Sequence, residues 1–327
     1  TGYRPIVQAG MNALGRDYES RLQDPVFFKD TKPPSTGNVQ QPLNESALRE
    51  AMVQYPQASL IAGGTDLMLE VTQRYQTFER LIDVSRVMEL RSITETQDTY
   101  CIGASVTYTE LERFFAQRSQ SLVSLLHRLG SRQIRNCGTI GGNLANGSPI
   151  ADMPPVLICW GATVELCTSS GQMRGVSINE FYRGYRQTVL QADEYIAGIR
   201  IPKRSLDSFA RFYKSSKRIE DDISSVMGAF LFQGDGSKIT AARIAFGGMA
   251  ATPVSLPGIE DILVGKTINK RLLSEVGEAI GEMMSPMTDV RASAEYRAAM
   301  ARSMLERALN EFSGVSTPLV MELKLHA

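Results

Sequence analysis

Cysteine and histidine are scarce in this chain of 327 residues, and their scarcity excludes several kinds of site. The four cysteines are Cys101, Cys137, Cys159 and Cys167. No two of them form a C-x-x-C pair and no histidine lies at ligand spacing, so the sequence predicts no zinc or iron–sulfur site and no other metal site. The two histidines also argue against a His-based triad. Redox chemistry is therefore expected to come only from a bound cofactor.

Net charge and long apolar segments are absent as well. The chain has 35 lysines and arginines and 35 aspartates and glutamates. A neutral chain has no electrostatic preference for nucleic acid or an anionic membrane, so neither partner is expected. No apolar run approaches the ~18 residues of a membrane span, and no secretory signal pattern opens the sequence. These absences predict a cytoplasmic location.

Glycine, by contrast, is concentrated in two segments that each follow an apolar run. Residues 60–67 read L-I-A-G-G-T-D-L, and residues 139–152 read T-I-G-G-N-L-A-N-G-S-P-I-A-D. Glycine lets backbone N–H groups converge on an anion, so the pair of loops predicts a diphosphate site, although an isolated Gly-Gly is also typical of a tight turn. Neither segment matches G-x-G-x-x-G, and Gly265-Lys266-Thr267 lacks the upstream glycine of a P-loop.

Together the two segments resemble the paired FAD-binding segments of the molybdenum hydroxylase flavoproteins, the family that contains xanthine dehydrogenase, aldehyde oxidase and CO dehydrogenase. The resemblance continues through residues 214–224, K-S-S-K-R-I-E-D-D-I-S, and residues 245–250, A-F-G-G-M-A. It is sharpest to the xanthine dehydrogenases and covers about residues 38–315.

The resemblance implies that the chain binds FAD, and the lack of a histidine within the two segments favours non-covalent binding. On these segments the residues implied to bind the cofactor are Ser59, Leu60, Ile61, Ala62, Gly63, Gly64, Thr65, Asp66, Thr139, Ile140, Gly141, Gly142, Asn143, Ser148 and Asp152. Asp66 and Asp152 also stand at expected helix starts, where an aspartate caps the helix, and the sequence leaves that alternative open.

Residues 214–222 carry both signs of charge at high density. Charge alone is typical of a solvated loop. The resemblance instead implies a position beside the isoalloxazine ring, where Lys214 binds the cofactor and favours the anionic reduced flavin, whereas Asp221 opposes it and the segment controls NAD⁺ access. It also implies that Ile196 packs on the ring. Leu129 stands where mammalian relatives have an aromatic residue against the flavin.

For the whole enzyme the resemblance implies a hetero-oligomer. A large subunit with the molybdenum cofactor oxidises a purine, [2Fe–2S] clusters relay the electrons, and FAD passes them to NAD⁺. Residues 1–6, T-G-Y-R-P-I, resemble the segment after a cluster-binding cysteine, which implies a [2Fe–2S] domain upstream in the parent chain. Two alternatives stay open: the flavin subunit of another molybdenum hydroxylase, such as a CO dehydrogenase or hydroxybenzoyl-CoA reductase, and a non-enzymatic assembly module that binds FAD only structurally.

The order of apolar patterns predicts an α+β fold in three parts. These are a linker at residues 1–37, a two-part FAD-binding domain at residues 38–205 and a C-terminal domain of the CO dehydrogenase flavoprotein type, a small sheet followed by helices, at residues 206–320. Predicted helices cover residues 44–55, 109–116, 122–135, 156–160, 270–284 and 292–312, and one more begins at Asp66. Predicted strands cover residues 60–62, 81–84, 100–104, 163–167, 176–178, 195–202, 225–232 and 239–246.

Overall fold

The computed structural model describes residues 38–317 of the chain. The linker expected at residues 1–37 lies outside that part, as do residues 318–320 of the expected C-terminal domain. From Gln40 onward the chain forms one compact unit, to which the following description applies. Among the described residues, no helix is long and apolar enough to cross a membrane.

Helices and strands alternate irregularly along the described residues. The helices are α1 (Glu45–Gln54), α2 (Met68–Arg74), α3 (Tyr108–Phe115), α4 (Gln120–His127), α5 (Arg132–Cys137), α6 (Ile140–Ala145), α7 (Met153–Trp160), α8 (Ile178–Phe181), α9 (Pro257–Leu263), α10 (Lys270–Met283) and α11 (Ala294–Phe312). The strands are β1 (Val39–Gln40), β2 (Ser59–Ile61), β3 (Leu81–Asp83), β4 (Ile93–Glu95), β5 (Thr99–Gly103), β6 (Thr163–Thr168), β7 (Met173–Ser177), β8 (Tyr182–Gly184), β9 (Gln187–Thr188), β10 (Glu194–Pro202), β11 (Phe209–Ser215), β12 (Val226–Gly234), β13 (Ile239–Gly247) and β14 (Val254–Ser255).

The strands that position the site belong to three groups. β2 and β3 pair in parallel, with Leu60 opposite Ile82. An antiparallel sheet of five strands has the order β4-β5-β10-β6-β7, and an antiparallel sheet of four strands has the order β11-β12-β13-β14. The glycine segment at residues 60–67 therefore leaves the carboxyl end of the parallel pair.

Strand β12 separates two hydrophobic cores. Met227, Ala229 and Leu231 lie in a core shared with the five-stranded sheet, whereas Phe230 and Phe232 lie in a second core with the C-terminal helices. This alternation follows from the strand geometry, in which successive side chains point to opposite faces. The four-stranded sheet thus joins the core of the five-stranded sheet to the C-terminal helices.

Helix α7 is buried along its whole length, from Met153 to Trp160. Its prolines lie in the first turn, where the missing N–H costs no intrahelical bond, and Gly161 ends the helix in the left-handed region at φ 65°. Because Asp152 directly precedes this buried helix, the helix holds that aspartate in place.

The predicted α+β fold is confirmed, and most long elements lie within two residues of their predicted bounds. The single helix predicted at residues 122–135 is wrong: it is divided into α4 and α5. Gly130 adopts the left-handed conformation at φ 59°, and the Ser131 side chain then accepts the Ile134 N–H to begin a new helix.

Two predictions at the glycine segments are also corrected. Residues 140–145, interpreted as loop, form α6, because the Thr139 side chain accepts the Gly142 N–H and caps a helix. The helix expected from Asp66 begins at Met68 and has no side-chain cap, so this aspartate does not act as a cap.

The C-terminal end of α11 is fastened to β11 by Glu311. Its carboxylate accepts from Arg211, from Arg307 at 2.8 Å and from Thr317 at 2.5 Å. Partial burial opposes ionisation, but these donors together lower the pKa of Glu311 to about 2. The ionised form therefore stabilises the fold above the ordinary carboxyl pKa, and this stabilisation is lost as the pH falls toward about 2.

We expect Glu311→Gln to lower the melting temperature at pH 7, because the neutral amide loses the charged pairs. The difference from the parent should shrink as the pH falls from about 4.5 and vanish near pH 2, where the parent glutamate is protonated too. Thermal unfolding of both proteins across this pH range is the measurement. A difference that stays constant over the range would contradict the assignment.

Candidate functional site

A cavity of about 910 Å³ opens where the glycine segments meet the start of the C-terminal region. This volume lies within the range of pockets that hold cofactors. Its walls come from residues 60–69, residues 139–152, residues 214–224 and residues 287–297. Three segments that the sequence singled out separately therefore line one space.

The first glycine segment presents free backbone donors to the cavity. Within residues 38–317, the N–H groups of Gly63, Gly64, Thr65, Asp66 and Leu67 donate to no acceptor, and all five residues line the cavity. Gly64 adopts φ 67°, the left-handed conformation that turns successive N–H groups inward. The free donors and this backbone conformation of residues 63–67, the nest, suit an anion, which is the ligand that the glycines of the segment predict.

Gly63 also brings the first glycine segment against the end of α5, just before the second segment. A Cβ at this position would lie 1.8 Å from the carbonyl oxygen of Cys137, the last residue of α5. Only a residue without a side chain permits this approach. The contact fixes the nest against the helix pair that precedes the second segment.

The second glycine segment contributes in a different way. The N–H groups of Ile140 and Gly141 donate to carbonyls in the β5–α3 connection, and that of Gly142 donates to Thr139 Oγ1 at 3.1 Å. The expectation that both segments offer free N–H groups to a diphosphate is therefore wrong for the start of α6. What α6 offers is the Asn143 side chain, whose buried Oδ1 has no hydrogen-bond partner within the described residues.

A buried ion pair lies in the cavity wall. The Lys214 ammonium donates to Asp152 Oδ2 at 2.6 Å, and the Ser224 hydroxyl donates to Oδ1 at 2.5 Å. The two charged side chains are 3% and 8% exposed, so solvent screens the pair little. Beside it, burial and the nearby Asp152 charge raise the pKa of the Tyr108 phenol well above its ordinary value, which keeps its proton in place.

The loop between β11 and β12 is tied to the helices that precede α6. Arg128 donates to the carbonyl of Lys214 and to Ser216 Oγ at 3.0 Å. Asp221, at φ 51°, accepts the Ser131 N–H at 3.1 Å. The sequence left open whether this loop is a solvated surface or a functional segment. In the structure it is anchored at both ends beside the cavity.

Most residues predicted to bind the cofactor do line the cavity. They are Leu60, Ile61, Ala62, Gly63, Gly64, Thr65, Asp66, Thr139, Gly142, Asn143, Ser148, Asp152 and Lys214, and Asp221, predicted to act in the flavin environment, lines it too. Ser59, Ile140, Gly141 and Ile196 are not among the lining residues. Ile196 is 7% exposed within the first hydrophobic core, on β10 opposite Leu166, and Gly141 packs against Ala104.

Sequence reasoning missed several lining residues from other elements. They include Tyr108, Ile134, Tyr185, Arg186, Met287, Asp289, Arg291 and Arg297, whereas Leu129, which the sequence did single out, also lines the cavity. The turn between β8 and β9 carries no sequence signal, because the left-handed backbone of Arg186, at φ 53° against Gly147, is visible only in the structure. The residues on the approach to α11 carry none, because they are ordinary helix-start residues in sequence.

Fold and cavity together define a flavoprotein built from two family regions. Residues 35–204 match the family described as the FAD binding domain in molybdopterin dehydrogenase, and residues 211–312 match the CO dehydrogenase flavoprotein C-terminal domain. The first match covers more than half of the chain. The chain belongs to the FAD-binding flavoproteins of the molybdenum hydroxylases, a family of oxidoreductases.

Curated relatives and solved structures agree with this membership. The carbon monoxide dehydrogenase medium chain of Hydrogenophaga pseudoflava is 32% identical over 77% of this chain and 88% of its own length, and the xanthine dehydrogenase FAD-binding subunit of Escherichia coli is 29% identical over 78% and 89%. The solved carbon monoxide dehydrogenase from Hydrogenophaga pseudoflava matches with a TM-score of 0.79 at 29% identity, covering 86% of this chain and 98% of that one.

Whole xanthine dehydrogenases match over a smaller share of their length. That of Drosophila subobscura is 30% identical over 82% of this chain but only 21% of its own length. The chain thus spans about a fifth of the length of the insect xanthine dehydrogenases that it matches.

The residues present fit FAD. The nest at residues 63–67 supplies donors for a diphosphate, the unpartnered Asn143 Oδ1 is a buried acceptor that needs a donor, and Gly142 leaves room that a side chain would fill. The Asp152–Lys214 pair offers a charged donor and acceptor next to this space.

Gly142 and Gly141 provide a test of this fit. A Cβ at Gly142 would meet only Thr139 Oγ1 at 3.0 Å, whereas a Cβ at Gly141 would lie 2.6 Å from the Cβ of Ala104. We expect Gly142→Val to fold but to lose about 2 kcal/mol or more of FAD binding, because its side chain occupies the cavity.

Gly141→Ala should instead lower the melting temperature, since its neighbour is protein rather than ligand. Fluorescence titration with FAD and thermal unfolding separate the two effects. Unchanged FAD affinity in Gly142→Val would show that the cofactor lies elsewhere.

Proposed function

We propose that this chain is the FAD-binding electron-transfer part of a xanthine dehydrogenase. The observation that carries the proposal is the run of five free N–H groups at residues 63–67, which share one cavity with the Asp152–Lys214 pair. The xanthine dehydrogenase relatives support the choice of enzyme within the family. In this proposal residues 38–205 bind FAD non-covalently and residues 206–320 form the C-terminal domain.

Each part of the cavity has a role in this proposal. The nest holds the cofactor diphosphate, and the Asn143 side chain orients the cofactor by a hydrogen bond. The Asp152–Lys214 pair binds at the isoalloxazine ring. When bound, FAD accepts electrons delivered by iron–sulfur clusters and returns them as a hydride to NAD⁺.

The ion pair changes the role expected of Lys214. Because Asp152 neutralises its charge at 2.6 Å, we infer that the lysine acts as a directed N–H donor rather than as a net positive field. Asp221 keeps its proposed role, since its carboxylate accepts only a backbone N–H and its charge has no cationic partner among residues 38–317. Beyond Lys214, the charged loop residues that line the cavity are Asp221 and Asp222, so the loop contributes negative charge at the cavity edge.

The proposed partners are a large subunit with the molybdenum cofactor and a [2Fe–2S] domain upstream in the parent chain. A cytoplasmic location is part of the proposal, because NAD⁺ is available there and four free cysteines suit a reducing compartment. Purine oxidation would occur entirely in the partner subunit.

A second candidate is the flavin subunit of a CO dehydrogenase-type enzyme. It is favoured by the Hydrogenophaga pseudoflava relative, whose sequence is covered over 88% of its length. The final electron acceptor and the substrate distinguish the two candidates. An assembly module that binds FAD only structurally would show no reaction between NADH and its flavin.

Reconstitution tests the proposal. We expect the chain alone to oxidise NADH with an artificial acceptor but not to turn over xanthine, and to support xanthine-driven NAD⁺ reduction once the iron–sulfur and molybdenum partners are added. Reduction by carbon monoxide but not by xanthine would favour the second candidate. Xanthine oxidation by the chain alone, or iron bound in stoichiometric amount, would contradict the division of labour.

Asp221→Asn tests the role of the loop. Asparagine tolerates φ 51° and still accepts the Ser131 N–H, so only the charge is removed. We expect the ratio of the NAD⁺ and oxygen rates of flavin oxidation to change at least about fivefold, while the melting temperature stays nearly constant. Stopped-flow oxidation by each acceptor is the measurement.

The matched control is Asp235→Asn, which removes a turn aspartate in the β12–β13 hairpin that also accepts backbone N–H groups. It should leave the ratio unchanged. Equal ratios in Asp221→Asn and the parent would show that the loop is an ordinary solvated surface.

A further inference from the structure

Arg297, in the first turn of α11, is a charged side chain buried in the wall of the cavity. Its side chain is only 3% exposed. The guanidinium donates to the carbonyl of Ser225, to the carbonyl of Gly248 at 3.1 Å and to Asp289 Oδ1 at 2.7 Å. A cation so deeply buried is tolerated only with such partners, which hold it in one orientation.

Both carbonyl partners belong to segments that converge on Asp152. Ser225 follows Ser224, whose hydroxyl donates to the aspartate carboxylate. The N–H of Gly248 donates to the carbonyl of Pro149 at 2.8 Å, and Pro149 lies in the segment that leads to the aspartate. The arginine thus holds two separate backbone segments that both lead to Asp152.

We propose that Arg297 is a positioning residue for the Asp152–Lys214 pair. By fixing Ser225 and Gly248 it sets the place of the aspartate, and the aspartate in turn aims the lysine ammonium into the cavity. The inference rests on the proposed function, because it takes FAD to be the occupant. It adds a function for the C-terminal helix α11, whose apolar side chains pack in the second hydrophobic core.

The chemistry requires arginine at this position. Its planar guanidinium reaches two backbone carbonyls and one carboxylate at once, whereas a lysine ammonium is a single point on a flexible stem. Arg297→Lys keeps the buried charge, so we expect this variant to fold. It loses the simultaneous contacts with the two backbone carbonyls. Asp289→Asn weakens the third contact and leaves both carbonyl contacts in place.

The test measures the affinities of the chain for oxidised and for reduced FAD. We expect Arg297→Lys to weaken binding of oxidised FAD at least about tenfold and to change the ratio of the two affinities at least about threefold, because the lysine donor is no longer aimed at the ring whose charge changes on reduction. Asp289→Asn should change the ratio less than Arg297→Lys does, because both carbonyl contacts of Arg297 remain in place. Arg307→Lys is the control, since Arg307 lies on the same helix but pairs with Glu311 at 2.8 Å.

A merely structural arginine would give a different result. Arg297→Lys would then lower the melting temperature of the FAD-free protein, as we expect of Arg307→Lys, while the ratio of affinities stayed at the parent value. That result would overturn the inference even if binding of both flavin forms weakened equally. Failure of the parent chain to bind FAD would refute the proposed function and this inference together. An unchanged ratio of affinities in a chain that binds FAD would refute this inference alone.

Discussion

Gly63→Ala is expected to abolish FAD binding. The new Cβ would lie 1.8 Å from the backbone carbonyl oxygen of Cys137, a distance that no change of rotamer relieves. The nest must therefore move away from α5, and its five N–H groups no longer point at one anion. We expect FAD affinity to fall at least about 100-fold and the free energy of unfolding to fall by about 1–3 kcal/mol. FAD content after gel filtration and chemical unfolding measure the two effects.

The control for this substitution is Gly281→Ala. This glycine lies inside α10, where a Cβ would meet only the Arg302 guanidinium at 3.5 Å. Alanine is a better helix former, so the control should keep FAD and gain up to about 1 kcal/mol of stability. Stoichiometric FAD in purified Gly63→Ala would show that the nest is not the diphosphate site.

Lys214→Met is expected to have the second largest effect. It leaves the Asp152 carboxylate buried with the Ser224 hydroxyl as its remaining partner, and breaking a buried pair in this way costs about 3–5 kcal/mol of stability. The double variant Asp152→Leu/Lys214→Met should recover most of that loss, because apolar side chains replace both charges. Neither variant should retain FAD, since both lack the charged donor in the cavity wall.

Urea unfolding and FAD titration of the parent, the single variant and the double variant separate stability from binding. The Arg200–Glu165 pair provides the control, because its side chains are 50% and 20% exposed and lie outside the cavity lining. Arg200→Met should cost less and leave FAD bound. If the double variant regained stability and bound FAD like the parent, the ion pair would be part of the fold only.

The sequence was most predictive where one residue type has one physical use. Gly64 at φ 67° and Gly63 against Cys137 are positions that only glycine fills easily, so their motif pointed to a backbone anion site. The apolar runs at residues 225–232 and 239–246, joined by a glycine-rich turn, predicted two strands of one sheet, because buried strands need apolar residues on their core faces.

Sequence reasoning was least predictive where the outcome depends on tertiary partners. The N–H groups of Ile140 and Gly141 are not free for a ligand, because they donate to carbonyls of the distant β5–α3 connection. The pairing of Lys214 with Asp152 joins residues 62 positions apart. Arg297 acts through backbone carbonyls, which carry no sequence signal at all.

The central claim is that this cavity holds one FAD by non-covalent contacts. The most direct measurement is the visible spectrum of the purified chain before and after acid precipitation, together with that of Gly63→Ala. We expect one FAD per parent chain, complete release of the yellow colour into the acid supernatant, and a colourless Gly63→Ala protein. Colour that remains in the precipitate would contradict non-covalent binding, and a parent chain that takes up no added FAD would contradict the site itself.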